Sequence, residues 1–310
     1  MKCSPSQCRA LVLSLLQGAG ASRAGVAPAR PVPPEVEAQY REWIASGSHG
    51  EMAYLDRYHD VRRDPRLLLD GARSVIVAAF NYYTPPRESS LQWAMYALGD
   101  DYHEVIRRRL GAVAEEITRQ TGAACRVTVD TAPIRERYWA TRAGIGFIGR
   151  NNQLIIPGSG SYFFLGEIIT TLDIEPDAPA ERCDCGACRR CVDACPGRAL
   201  DGNGALDARR CLSYLTIEYR GTLPTDIPLG RHVYGCDECQ RACPHNRRAV
   251  PTFIPEFVPR EQILALTPDA ILALTPDAFA ATFAHSAIRR TRLSGLQRNA
   301  TSIDPILDQS

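Results

Sequence analysis

Eight of the twelve cysteines lie between residues 185 and 243, and their spacing indicates iron–sulfur chemistry. The first run follows C-x2-C-x2-C-x3-C-P, and a second run follows C-x2-C-x3-C-P. In bacterial ferredoxins such runs hold two [4Fe–4S] clusters, and the last cysteine of a run ligates the cluster of the other run. The second run lacks its opening cysteine, because Val233 stands there, but Cys211 can supply the missing thiolate.

The rule that the last cysteine of each run ligates the cluster of the other run (the crossover rule) divides these thiolates into two sets of four. We predict a first set of Cys185, Cys188, Cys191 and Cys243, and a second set of Cys195, Cys211, Cys236 and Cys239. Zinc is an alternative, but zinc pairs usually come as separated C-x2-C units and do not need C-x3-C-P twice. Disulfides are less favoured still, because nothing in the sequence signals export. Cys183 rivals Cys185, but only Cys185 keeps the spacing.

The totals describe an ordinary soluble composition. The 310 residues are 45% hydrophobic and 23% charged, enough for two compact domains and a tail. A net charge of +1 excludes a strong overall attraction to nucleic acid, though not a local basic face. The apolar run at residues 10–16 is too short to span a bilayer, and no twin arginine precedes it. We therefore expect a cytoplasmic protein with no membrane contact.

Periodicity and turn signals predict the elements that position the cysteines. We predict helices over residues 1–20, 35–45, 101–121 and 134–143, with Gly122 as a stop and Pro133 in a first turn. We predict strands over 74–80, 124–129, 152–156 and 162–171, the last two joined as a hairpin by P-G-S-G. In the tail, I-L-A-L-T-P-D-A occurs twice in tandem, which we interpret as a local duplication that lengthens a helical connection.

These elements predict three units. Residues 1–175 form an α/β domain with a mixed α+β sheet, 176–250 form a ferredoxin-like domain with two [4Fe–4S] clusters, and 251–310 form a short helical tail. The first unit has no G-x-G-x-x-G after a strand. It also lacks a complete D-x-H-x-x-G, since Ile106 stands where the glycine should be. Spacing alone thus predicts an electron-transfer protein fused to an α/β domain.

Short motifs along nearly the whole chain resemble those of the epoxyqueuosine reductase family. They are M-A-Y-L, R-R-D-P, G-D-D-Y-H, V-D-T-A-P, A-G-I-G-F, N-N, C-L-S-Y-L-T-I-E, Y-G-C-D-E-C and Q-R-N-A, and they occur in family order between residues 52 and 300. The two cysteine sets match the cluster ligands of the family, including the isolated Cys211. The resemblance implies a cob(II)alamin bound base-off between the α/β domain and the clusters, without a histidine from D-x-H-x-x-G.

The resemblance also implies the reaction. The clusters pass electrons singly to cobalt, and the resulting cob(I)alamin removes the epoxide oxygen of epoxyqueuosine in the tRNA anticodon loop. Asp130 matches the catalytic aspartate of the family and is the implied proton donor. We expect desolvation at the end of a buried strand to keep this carboxyl protonated near neutral pH. The alternative is that Asp130 caps the following helix, but Pro133 as first helical residue would make Ala132 the cap.

Further residues match weaker family positions. Arg62 is implied to contact the corrinoid, and the alternative is a surface ion pair. Ser213 and Tyr234 lie near cluster cysteines and are expected to face the cofactor, the alternative being plain packing around a cubane. Asn151, followed by Asn152, is expected to bond corrinoid amides or merely to start a strand.

The implied partner is tRNA carrying epoxyqueuosine. Arg247, Arg248 and the arginines from Arg289 to Arg298 are candidates for phosphate contacts, and Tyr219 for base stacking, although charge runs are usually solvated faces. Longer family members carry a C-terminal helical-repeat extension that helps to hold tRNA, and this sequence ends at Ser310. We further expect a monomer that draws electrons from an external ferredoxin or flavodoxin.

Two other functions compete. A corrinoid reductive dehalogenase resembles this family in domain order and clusters, but such enzymes are typically exported with a twin-arginine signal and use a tyrosine as proton donor. A non-catalytic electron carrier would keep the clusters and would bind no corrinoid.

Overall fold

A four-stranded sheet organises the first half of the chain in the computed structural model, which describes residues 4–180 and 185–303. Its strands are β1 (Arg23–Pro28), β2 (Ser74–Asn81), β4 (Cys125–Thr128) and β7 (Phe163–Thr170), in the order β1-β2-β7-β4. Every pairing in this sheet is antiparallel. All eight residues of β2 are buried, as its continuous apolar run predicts.

Helices cover both faces of the sheet, because alternate strand residues point to opposite sides. Ile76, Ala78 and Phe80 pack with the helices α1 (Pro5–Gly18) and α4 (Tyr102–Thr121). The intervening residues, Val75, Val77 and Ala79, pack instead with α5 (Glu136–Arg142). The helices α2 (Pro34–Ala45) and α3 (His59–Arg63) complete the elements around this second core.

The predictions for the long elements are confirmed. The first, second and fourth helices lie where periodicity placed them, and α4 begins after its N-cap Asp101 and ends at Gly122, whose φ is 75°. Strands over 74–80 and 124–129 also occur, each shifted by one residue or less at either end. Strand β1 was not predicted, because proline and alanine dominate its sequence.

Two local predictions are wrong. Helix α5 begins at Glu136, two residues later than predicted, so Pro133 lies in a turn before the helix and not in its first turn. The predicted hairpin is also absent. Residues Leu154–Ile155 (β6) pair with Phe147–Ile148 (β5), while the next strand joins the main sheet, and the turn between them is closed only by the bridge from Ile156 to Gly160.

Short helices carry the cysteine region: α6 (Arg190–Asp193), α7 (Leu212–Ile217) and α8 (Glu238–Arg241). Strand β8 (His232–Tyr234) pairs in parallel with β3 (Gln92–Trp93), a segment of the first predicted domain. Cys183 lies outside the described residues. Within the residues that the structure covers, no helix combines the length and apolarity needed to cross a membrane.

The tail forms α9 (Glu261–Leu264), α10 (Pro268–Leu272), α11 (Pro276–Thr282) and α12 (Arg292–Thr301). Both copies of the octapeptide adopt one structure: Ile263 and Ile271 are each 0% exposed, and Thr267 and Thr275 each cap the helix that follows. The tail shares a hydrophobic core with residues 91–98 and 217–234. Side chains from all three predicted units pack in this one core, so the domain boundaries at 175 and 250 stay a prediction.

Candidate active site and cluster region

The eight predicted cluster cysteines lie in two places. Cys243 packs in a small apolar cluster with Phe147 and Ile155, and Cys185 lies against it. Cys211 and Cys236 lie together against a different cluster, formed around Leu212 and Leu215. The cysteines of the first set thus lie beside β5 and β6, whereas those of the second set lie beside α7.

Neighbouring thiols within each place influence one another. Burial raises the pKa of Cys191, and the thiols of Cys185 and Cys243 raise it further. Burial likewise raises the pKa of Cys239, with further contributions from Cys236, Cys211 and Cys195. Every cysteine neighbour recorded for these thiols belongs to the same predicted set. Among the described residues, no three His, Cys, Asp or Glu side chains converge on the point that a single metal ion would occupy.

A second polar centre forms where β4 ends and α4 begins. His103 lies in the first turn of α4, and its ring nitrogens contact two carboxyls: Nδ1 is 2.6 Å from Oδ1 of Asp101, and Nε2 is 3.0 Å from Oδ2 of Asp130. The same oxygen of Asp101 accepts the backbone N–H of His103 as the helix N-cap. One capping residue therefore fixes both the start of the helix and the orientation of the imidazole.

The charges at this centre differ from the prediction. Burial lowers the pKa of His103, but the hydrogen bonds and charges of Asp101 and Asp130 outweigh it and raise that pKa to about 9. Burial raises the pKa of Asp130, but His103, Tyr102 and Arg290 together lower it below its ordinary value. The expectation that desolvation keeps Asp130 protonated is therefore wrong, because neighbouring donors stabilise its carboxylate. The proton of the pair resides on His103 at neutral pH.

The backbone at Asp130 is held in an unusual conformation. Its φ of 49° lies in the left-handed region, which costs a non-glycine residue roughly 1–2 kcal/mol. Oε1 of Glu136 accepts the backbone N–H of Asp130. Burial, then the charge of Asp130, raises the pKa of Glu136 to about 8. Behind them Glu167 is 0% exposed in β7, and its Oε2 accepts the hydroxyl of Thr128 at 2.9 Å.

Tyrosines connect this centre to the second cysteine set. Tyr102 hydrogen-bonds Asp130, and its ring lies edge-on to Tyr96, with centroids 6.0 Å apart. The hydroxyl of Tyr96 donates to that of Tyr234 at 3.3 Å. Beside Tyr96, the backbone N–H of Met95 donates to Asp237, the residue between Cys236 and Cys239 in sequence, at 2.7 Å. These contacts form a path of neighbouring residues from the polar centre around Asp130 and His103 (the acid centre) to the second cysteine set.

The residues predicted to contact the corrinoid differ in burial. Tyr234 is 1% exposed and donates its hydroxyl to the carbonyl of Ala287, so its side chain packs in the core, and contact with the cofactor stays a prediction. Asn151 is 3% exposed and its amide reaches the carbonyl of Cys239. Ser213 is half-buried in α7, two residues after Cys211. Arg62 is half-buried and donates to the carbonyls of Arg57 and Tyr54.

A cleft of about 460 Å³ lies near Asp130, which does not itself line it. Tyr54 and Arg290 lie in its wall and are close enough to Asp130 to interact with it electrostatically. Arg290 forms a bidentate ion pair with Glu218, with both nitrogen–oxygen distances 2.8 Å, and lies over the ring of Tyr54. The cleft is lined by Glu51, Tyr54, Glu218, Arg220, Arg289, Arg290 and Arg292.

The residues on this side fit a corrinoid in two respects. Both ring nitrogens of His103 are engaged by carboxyls, so this imidazole is not free to ligate cobalt, in agreement with the expected absence of a histidine ligand. The open side also presents a phenol, a guanidinium and a carboxylate, which match the amide groups around a corrin ring. The side chain of Asp130 is 53% exposed, so it can reach a bound molecule.

The arginines predicted to contact tRNA fall into two classes. Arg298 is structural, because it donates to the carbonyls of Leu215, Tyr219 and Gly221. Arg290 is held by Glu218, as described above. By contrast, Arg289 and Arg292 are exposed in the cleft wall, and within the described residues neither has an ion pair. Arg247 and Arg248 are exposed in the same way, beyond the second cysteine run.

Sequence reasoning missed three residues of the acid centre. His103 was noticed only as part of an incomplete motif, although the D-Y-H order itself brings a cap and an imidazole together. Glu136 gave no signal, because the helix was expected to start before it. Glu167 could have been found, since it is the one charged residue in the apolar strand β7.

Comparison with known proteins gives a consistent result. The family model "Epoxyqueuosine reductase QueG, DUF1730" matches residues 62–131, and the model "4Fe-4S double cluster binding domain" matches residues 184–246. The epoxyqueuosine reductase of Gloeobacter violaceus is 40% identical over 306 residues, which are 94% of this chain and 94% of that protein. That of Cyclobacterium marinum is 40% identical over 264 residues, 83% of this chain and 84% of that protein.

Solved structures agree. A crystal structure of epoxyqueuosine reductase with an epoxyqueuosine-modified tRNA stem loop has a TM-score of 0.87 and 30% identity, covering 95% of this chain and 80% of that one. The Bacillus subtilis enzyme, described with its aspartate catalytic loop swung out of the active site, has a TM-score of 0.85 and 31% identity, with the same coverage.

A catabolic reductive dehalogenase is similar in fold alone, at 16% identity and a TM-score of 0.50, over 96% of this chain and 38% of that one. The relatives at 40% identity are similar over most of their length and include both family regions. The chain belongs to the epoxyqueuosine reductase family of oxidoreductases.

Proposed function

We propose that this chain reduces epoxyqueuosine to queuosine in the anticodon loop of tRNA. Both carbon–oxygen bonds of the epoxide break, its oxygen leaves as water, and the cyclopentene double bond forms between the two carbons. This change consumes two electrons and two protons. The observation that carries the proposal is the Asp130–His103 pair, which lies near an open cleft and is joined by packed tyrosines to the second cysteine set.

The cofactors are two [4Fe–4S] clusters and cobalamin. The clusters supply electrons singly, and the corrinoid, when bound and reduced, supplies a low-potential cobalt centre. We propose that the first and second cysteine sets each ligate one cluster, because their members pack in two separate places that agree with the crossover rule. The Tyr96 and Asp237 contacts support the second set as the one nearer the substrate.

We propose that His103 and Asp130 deliver one proton as a pair. His103 holds the proton on Nε2, and Oδ2 of Asp130 accepts the hydrogen bond. Only 23% of the His103 side chain is exposed, against 53% of Asp130, so Asp130 is the member that reaches the substrate. Transfer from imidazolium to carboxylate restores the neutral acid, and Asp101 keeps the ring oriented after the proton has left.

We propose that Arg289 and Arg292 bind phosphates of the anticodon loop next to the modified base. They are exposed beside the cleft, and no carboxylate within the described residues neutralises them. Positive side chains in such a position give a salt-dependent grip on single-stranded RNA. We also propose that the protein works as a cytoplasmic monomer, with an external ferredoxin or flavodoxin as reductant.

The test is anaerobic reconstitution of the chain with iron, sulfide and cobalamin, followed by incubation with tRNA that carries epoxyqueuosine and a low-potential reductant. Mass spectrometry of the nucleosides should show loss of one oxygen atom and conversion to queuosine. Omission of cobalamin is the control. Bound corrinoid with no conversion of the nucleoside would contradict the proposed reaction, and failure to bind corrinoid would favour a simple electron carrier.

A further inference from the structure

The segment that carries Asp130 is short. Strand β4 ends at Thr128, and α5 begins only at Glu136, so residues 129–135 lie outside regular structure. Asp130 in this segment has a φ of 49°. Its carboxylate contacts His103, but its backbone must be fixed independently if the carboxylate is to stay aimed at the substrate side.

Two contacts hold this backbone: the N–H of Thr131 donates to the carbonyl of Val129 within the segment, and Glu136 holds it from outside the segment. This residue begins α5, and its Oε1 accepts the N–H of Asp130 across the turn. The ring of Trp139, one turn later, is 2% exposed in the core beneath the sheet, so the helix that carries Glu136 is itself anchored. A carboxyl oxygen on an anchored helix therefore holds the backbone of a strained residue in the preceding turn.

We propose that Glu136 is a positioning residue, which holds the Asp130 segment in the conformation that brings the Asp130 carboxylate to His103 and the substrate. The inference rests on the proposed role of Asp130. Glu136 acts through its acceptor oxygen and donates no proton to the substrate. This assignment distinguishes it from a second acid and from a residue that merely stabilises α5.

The substitutions Glu136→Ala and Glu136→Gln separate these roles, because glutamine keeps an oxygen acceptor for the Asp130 N–H and loses the ionisable proton. We expect Glu136→Ala to lower kcat about 10- to 100-fold with little change in KM, as misplacement of a reacting group does. We expect Glu136→Gln to stay within about threefold of the wild type. Glu115→Ala, at an exposed position of α4, is the matched control and should leave turnover unchanged.

A second readout needs no substrate. In the cluster-loaded protein, the pKa of His103 is followed by NMR of its imidazole nitrogens, with His103→Gln to assign the signals. Both substitutions remove the charge of Glu136, so if Glu136 positions Asp130 the pKa of His103 should fall further in Glu136→Ala than in Glu136→Gln, because only in Glu136→Ala has the Asp130 carboxylate moved away. Loss of helix stability alone leaves this pKa unchanged.

Turnover in Glu136→Gln as poor as in Glu136→Ala would overturn the positioning role, as would equal pKa values of His103 in the two variants. If Glu136→Ala does not fold, Glu136→Asp replaces it, since the shorter carboxylate cannot span the turn. Should the wild type fail to reduce epoxyqueuosine, the proposed function fails, whereas the His103 measurement still decides the role of Glu136.

Discussion

Oδ2 of Asp130 lies 3.0 Å from Nε2 of His103, and Asp101 engages the other nitrogen of that imidazole at 2.6 Å. The imidazole thus lies between two carboxylates, which explains why it retains its proton well above the ordinary pKa of histidine. A pair of this kind can release a proton to a substrate and recover it from solvent.

Replacing Asp130 with asparagine should abolish turnover while both clusters and the corrinoid remain bound. Asparagine preserves the size of the side chain but cannot carry the proton from His103, and loss of a general acid typically lowers rates about 10²- to 10⁴-fold. Single-turnover conversion of epoxyqueuosine measures the effect, with iron content and the corrinoid spectrum as controls. Turnover close to that of the wild type would exclude Asp130 as the donor.

Turnover of the wild type should fall as the pH rises through about 9, where His103 loses its proton. Because the folded-state pKa is raised above the ordinary value of 6.5, the stability that protonation provides is fully present below pH 6.5 and is lost as the pH passes 9. His103→Gln should remove this fall at alkaline pH from the plots of rate and of stability against pH. A fall that persists in the variant would assign it to another titrating group.

Double substitutions test the membership of the two cysteine sets. Cys211→Ser and Cys243→Ser should each reduce the iron content from about eight to about four atoms per chain. Combining Cys211→Ser with Cys236→Ser, within the second set, should still leave about four. Combining Cys211→Ser with Cys243→Ser should leave almost none. Cys125→Ser, which alters a thiol bonded to Thr170 in the sheet, is the control and should retain full iron.

Removing the charges of Arg289 and Arg292 together should weaken tRNA binding and reduce the slope of log affinity against log salt by roughly 1–2. Turnover at saturating tRNA should persist, because neither side chain touches the Asp130–His103 pair. Filter binding across salt concentrations provides the measurement. The control variant lacks the charges of Arg23 and Arg30, two exposed arginines near the ends of β1. It removes the same total charge away from the cleft, so an equal loss of tRNA affinity in this variant would contradict a specific site.

Gly50→Ala should destabilise the contact between the first half of the chain and α7. A Cβ at this position would lie 2.5 Å from the ring of Tyr214, and φ is +62°. The left-handed backbone alone costs roughly 1–2 kcal/mol, and displacement of Tyr214 adds the loss of its hydrogen bond to the N–H of Glu51. Gly111→Ala is the control, since open space surrounds it within α4, and it should stabilise by about 0.5–1 kcal/mol.

The sequence predicted most of what depends on spacing and periodicity. The cysteine runs have a fixed register, and the helices with clear stripes and caps, such as α4, have unambiguous ends. The errors occurred where tertiary contacts decide. Leu154 and Ile155 pair with a strand that no local signal announces, and the protonation of Asp130 depends on a histidine from a different helix. The burial of Tyr234 in strand β8 against the tail likewise depends on residues that are distant in sequence.

That burial has a consequence for synthesis of the protein. Trp93 and Val233 lie in a core that residues 263–300 complete. Because residues 263–300 follow the cysteines in sequence, strand β8 beside the second cysteine set stays uncovered during synthesis until these residues can pack on it.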